Sequence, residues 1–148
     1  METALAAARG LGWRVVYAND SHEPGDDDPS VLVRRALAGP GGDDIRRLAP
    51  IDGEPVVVKP DYSAFDRTAM AGLLEDLGVG RLVIMGAVTE TCVRETATDA
   101  ARAGYDTAVV WAASVPLDDA EERVALEQLE RLGVEVLDRF DGGSPGAV

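Results

Sequence analysis

The sequence predicts an α/β protein: a three-layer α/β/α arrangement around a doubly wound, mostly parallel sheet of Rossmann-like topology. Three observations carry this expectation. Short runs rich in valine and isoleucine alternate with helical stripes from one end of the chain to the other. Most of those runs are continuously apolar, as strands covered on both faces must be. Glycines close the helical stretches, at Gly10, Gly78, Gly104 and Gly133. No internal repeat or interdomain linker interrupts the pattern. One domain is therefore expected over residues 1–140, with 141–148 a flexible tail.

The elements follow in order. Met1 to Arg9 is alanine-rich, with Leu5 and Ala8 on one face, and reads as a short helix. Trp13 to Ala18 is rich in β-branched and aromatic residues, hence a strand. Asn19 to Ser30 is polar and holds Pro24, Gly25 and Pro29, the composition of a loop. Residues 31–54 give a weak helix at Val31–Ala38 and then a polar, glycine-rich excursion. Pro55 to Lys59 is a second strand, ended by Pro60. Met70, Leu73, Leu74 and Leu77 fall at i, i+3, i+4 and i+7, one apolar stripe of a helix that begins near Asp66 or Thr68. Arg81 to Met85 is the third strand. A helix from Thr89 to about Ala103 comes next, then a fourth strand over Tyr105 to Trp111. Asp118 to Leu132 is a helix with Val124, Ala125, Leu129 and Leu132 inward, and Val134 to Leu137 is the fifth strand.

Composition narrows the function. The chain has 148 residues, 46% hydrophobic and 28% charged, with a formal net charge of −13. That balance argues against nucleic acid or an anionic membrane as partner, since both require clustered Lys and Arg. The single cysteine excludes an intramolecular disulfide and a cysteine-rich zinc site, and fits a reducing cytoplasm. No apolar run is long enough for a membrane span, and the start lacks the basic and apolar segments of a signal peptide.

Ligands of a doubly wound sheet bind beyond the carboxyl ends of its strands. Asp20 and His22 follow the first strand, Lys59 ends the second, and Cys92 follows the third. In Met85-Gly86-Ala87-Val88-Thr89-Glu90-Thr91-Cys92-Val93 a strand turns at Gly86 into a helix, with Thr89 placed to cap it. Free N–H groups and the positive end of the helix dipole favour a thiolate at Cys92. A lone cysteine beside an apolar strand also reads as a small buried hydrophobe. The convergence of Lys59 and Cys92 on one sheet edge favours the nucleophile.

Three motifs make the chain similar to the isochorismatase-like cysteine hydrolases. They are Val57-Val58-Lys59-Pro60-Asp61-Tyr62-Ser63-Ala64-Phe65, then Gly86 to Val93, then Thr96-Ala97 with Asp99-Ala100 and Gly104-Tyr105. The likeness spans roughly residues 1–137. It implies a homo-oligomeric amidohydrolase that needs no cofactor. Such an enzyme cleaves a C–N amide or ureido bond of a small molecule through a covalent Cys92 intermediate. Lys59 would stabilise the sulfur anion. A cis peptide at Ala87–Val88 would let the N–H groups of Val88 and Cys92 form an oxyanion hole. Asp20, Tyr62, Phe65 and Thr89 would line the substrate pocket. Vinyl-ether hydrolysis, as by isochorismatase itself, is disfavoured because those members do not depend on a cysteine.

The sequence departs from the pattern at its start. The resembling enzymes carry their catalytic aspartate at the end of a central strand that precedes the first helix. Here the chain begins inside that helix, which would leave the Arg14–Ala18 and Arg81–Met85 strands with unpaired inner edges. Three explanations compete. The recorded start lies downstream of the true one, which is the preferred reading. Alternatively the chain is an inactive relative that binds a ligand or oligomerises. Finally, Asp20 could substitute as base, which is disfavoured because it lies one strand over. Asp20-Ser21-His22 has the Asp-x-His spacing of a nicotinamidase metal site, but such a site needs a further histidine and the chain has one. No metal is expected, and nicotinamide is disfavoured as substrate for the same reason.

Overall fold

The computed structural model describes residues 1–21, 28–140, 142–143 and 146–147; His22 lies outside them. Its elements run α1 (Glu2–Gly10), β1 (Tyr17–Asp20), α2 (Pro29–Ala38), α3 (Gly42–Ile45), β2 (Val56–Lys59), α4 (Met70–Leu77), β3 (Arg81–Ile84), α5 (Arg94–Arg102), β4 (Asp106–Val110), α6 (Asp119–Arg131) and β5 (Glu135–Leu137). A π-helical turn, Thr89–Val93, leads into α5. Helices and parallel strands alternate, as the sequence predicts. The Asp118 carboxylate accepts from the N–H groups of Ala120 and Glu121 and so starts α6. Among the described residues no helix is long and apolar enough to cross a membrane.

The strands form two sheets rather than one, β1–β2 and β3–β4–β5. The division falls where the sequence predicts unpaired inner edges, between the strand after α1 and β3. Part of that gap is closed by the end of the chain. Arg14 donates its N–H to the Gly146 carbonyl at 3.1 Å, Ala147 donates to Arg81 at 3.0 Å, and Val83 donates to Ala147 at 2.9 Å. Gly142, Gly146 and Ala147 are buried. Open strand edges need hydrogen-bond partners, and an extended segment nearby supplies them. Gly146 suits the passage: a Cβ there would come within 2.3 Å of the Arg81 carbonyl oxygen.

Two more expectations change. Val124 and Leu132, read as inward, are about half exposed, while Ala125 and Leu129 of the same helix are fully buried. The inward stripe of α6 is therefore narrower than its apolar residues suggest. Leu129 packs with Val93, Ala97 and Val109, tying α6 and α5 onto the central strand β4. Leu74 and Met70 of α4 pack with Leu82 on that same face of the sheet, while Ala8 and Trp13 pack with Val83, Ala108 and Val110 on the other.

Candidate active site

The parallel register of β1 and β2 sets Asp20 directly opposite Lys59. The Lys59 side chain is 4% exposed, and its ammonium is held by the Asp20 carboxylate. Nζ also donates to the Asp61 carbonyl at 2.9 Å and to Cys92 Sγ at 3.4 Å. An ammonium has three donors, and here three different elements accept them. Two fixed acceptors on one side aim the remaining N–H across the gap between the sheets, at the sulfur.

Cys92 is brought there by the turn after β3. Gly86 has φ 152°, a backbone conformation that favours glycine, and the Ala87–Val88 peptide is cis. The segment after β4 straps this turn from both sides. Val115 donates to the Gly86 carbonyl at 2.9 Å, and Thr89 donates to Val115 at 3.1 Å. The buried Glu90 carboxylate accepts from the N–H groups of Leu117 and Asp118 at 2.8 and 3.1 Å. Thr89 does not cap the helix through its side chain, as the sequence suggested. Its hydroxyl is fully buried, and Cys92 sits in the π-helical turn ahead of α5. The Val88 N–H donates to no acceptor among the described residues, leaving it available.

The loop carrying Asp61 is fastened to α5. Ser63 Oγ donates to Asp99 at 2.6 Å, and the Ala64 N–H donates to Thr96 Oγ1 at 3.0 Å. The second half of the first sequence motif is thus bonded to the third. Glu90 and Val115 escaped the sequence reading. A glutamate one residue into a helix looks like ordinary dipole compensation, and nothing local ties Val115 to a turn nearly thirty residues earlier.

These groups open onto a cavity of about 540 Å³ between the two sheets. Asp20, Lys59, Phe65 and Cys92 line it, with Leu74, Leu82 and Met85 giving it an apolar wall. Two expected pocket residues are absent from that lining. Tyr62 is 57% exposed on the outer side of its loop, and Thr89 is covered completely.

The fold has known counterparts. The isochorismatase domain, as a family, matches residues 1–141. The chain belongs to the isochorismatase family. A solved isochorismatase family protein from Desulfovibrio vulgaris superposes with a TM-score of 0.77 at 30% identity, over 92% of this chain and 76% of that one. Maleamate amidohydrolase from Pseudomonas putida is 37% identical over 114 residues, covering 72% of this chain. An uncharacterised isochorismatase family protein from Bacillus subtilis, YaaI, is 29% identical over 125 residues, covering 84% of this chain. The chain spans 69% of the Bacillus protein but only 54% of the Pseudomonas enzyme.

Proposed function

We propose that the protein is a cysteine-dependent amidohydrolase that cleaves a C–N amide or ureido bond of a small molecule. The observation that carries this reading is the contact of the buried Lys59 ammonium with Cys92 Sγ at 3.4 Å, in the lining of a cavity. An ammonium beside sulfur stabilises the thiolate, the form that attacks a carbonyl. Attack yields a thioester and releases the amine; water then frees the acid and restores the thiol. The unengaged Val88 N–H and the N–H of Cys92 would stabilise the oxyanion of each tetrahedral intermediate. The similarity to maleamate amidohydrolase supports a small amide as substrate.

The proposal extends to substrate size, assembly and location. The substrate is a small molecule, the protein is a homo-oligomer, and the single cysteine fits a cytoplasmic location. A ligand-binding relative without turnover is the second reading, favoured by the division of the sheet beside the site. The two separate in one experiment: the protein is mixed with a panel of small amides, maleamate included, and its intact mass is followed. An acyl adduct on Cys92 with release of ammonia or amine supports the hydrolase. Binding without adduct or turnover, unchanged in Cys92→Ala, supports the second reading.

A further inference from the structure

We propose that Glu90 is a positioning residue for the reaction: through the segment 115–118 it fixes the Val88 N–H that would receive the oxyanion. The inference rests on the hydrolase reading above. Glu90 lies in the turn that carries Cys92 and is 5% exposed. A carboxylate taken out of water destabilises the fold unless it is bonded. Its Oε1 accepts from the N–H groups of Leu117 and Asp118 at 2.8 and 3.1 Å, while Oε2 is buried and accepts no hydrogen bond among the described residues. Those two donors lie at and ahead of the start of α6. The first turn itself is served by the Asp118 carboxylate, which takes the N–H groups of Ala120 and Glu121. Glu90 therefore holds the approach to α6 rather than its first turn.

That approach needs holding. No residue from Ser114 to Val124 is buried, and Val115 and Leu117 are 52% and 84% exposed. Apolar burial does little to keep this segment down, so directional bonds must do it, and those to an ionised carboxylate are the stronger kind. The same segment grips the nucleophile turn on both sides of Val88: Val115 donates to the Gly86 carbonyl and accepts from the Thr89 N–H. The Val88 carbonyl in turn accepts from Thr91 and Val93, the two neighbours of Cys92, at 3.2 and 3.1 Å. One ring of bonds thus runs from carboxylate to segment, from segment to turn, and from turn to the residues around the sulfur. Glu90 touches no reacting atom; its effect passes through Val115. Without it, Val115 is left on two backbone bonds in an exposed stretch of chain. Small displacements matter here, because a shift of about 1 Å in a reacting group can cost on the order of 10²-fold in rate.

The test compares two reactions of the same sulfur. Iodoacetamide loses iodide from a saturated carbon and forms no oxyanion, so its rate reports the thiolate alone. p-Nitrophenyl acetate passes through an oxyanion, leaves its acetyl carbon bonded to sulfur and releases p-nitrophenolate. The ratio of acylation to alkylation rate is read within each variant, after the Cys92→Ala acylation rate is subtracted. Glu90→Ala is expected to lower that ratio roughly 10- to 100-fold with alkylation nearly unchanged. Glu90→Gln keeps an acceptor oxygen and should retain most of it. Leu117→Pro removes one of the two N–H donors from a side chain that is 84% exposed, and should lower the ratio by a smaller factor. That variant carries the test if Glu90→Ala does not fold.

A role confined to stability would lower the melting temperature and leave the ratio alone. An unchanged ratio in folded Glu90→Ala or Leu117→Pro would overturn the inference and leave the hydrolase reading in place. Acylation of the wild type no faster than of Cys92→Ala would remove the hydrolase reading and the inference with it.

Discussion

The two sheets that meet at the site are built differently. In β3 and β4 the middle of each strand is core, with Val83, Ala108, Val109 and Val110 2% exposed or less, while β5 at the edge is half buried or exposed. In β1 every residue is only half buried, and in β2 buried and half-buried positions alternate. Cys92 stands on the first sheet, braced by Glu90 and Val115; Asp20 and Lys59 stand on the second. The sulfur is therefore positioned by close packing, the charges by the pairing of two lightly covered strands. Lys59, nearly buried and bonded to both sides, joins the halves. The site depends on a contact across a gap, and substitutions on the two sides should fail in different ways.

Cys92→Ala gives the largest effect. Turnover falls on the order of 10⁴-fold or more, as for other covalent nucleophiles, with little change in melting temperature. Loss of folded protein instead would make Cys92 a core residue and erase the contrast between the sheets. Next, Lys59→Met removes the bridging charge and retains the packed stem. Steady-state kinetics should show kcat reduced roughly 10²- to 10³-fold, comparable to removal of a preorganised stabilising group. Ala147→Glu places a charge in the segment that closes the gap and is expected to destabilise by about 3 kcal/mol in urea unfolding. A change under about 0.5 kcal/mol would mean that position 147 is solvated and the gap open.

Glu54→Gln tests the outer side of the β1–β2 sheet. Burial pushes the Glu54 carboxyl up, but hydrogen bonds from Arg9 and the Ile51 N–H outweigh it and hold the group below its ordinary value of 4.5. A depressed carboxylate stabilises the fold fully above the unfolded value and loses that contribution as pH falls through the folded one. The variant should thus be about 2 kcal/mol less stable at pH 7, and the difference should shrink below pH 4.5. The smallest effect is expected from Ser63→Ala, which frees Asp99 and loosens the loop over Lys59. About 1 kcal/mol of stability is lost, and KM rises more than kcat falls.

Much of this was legible in the sequence because it is local. Apolar runs placed the five strands found among the described residues, although β1 begins at Tyr17 rather than Trp13. The Met70–Leu77 stripe placed α4, and Gly86 with Cys92 marked the turn. What escaped depends on tertiary pairing. The opposition of Asp20 and Lys59 is set by strand register, and nothing in either strand alone reveals it. Likewise nothing local to Ala147 reveals that it bridges Arg14 and Leu82, on two strand edges distant in sequence. The exposure of Val124 and Leu132 reflects how little of α6 the sheet covers, which periodicity does not encode.

The account stands most directly on the contact between Lys59 and Cys92. Because the chain has one cysteine, its alkylation by iodoacetamide can be followed without ambiguity. At pH 7 the native protein should react at least ~10-fold faster than both Lys59→Met and the urea-unfolded chain. Equal rates in all three would mean that the lysine does not activate the sulfur, and the proposed chemistry would have no nucleophile.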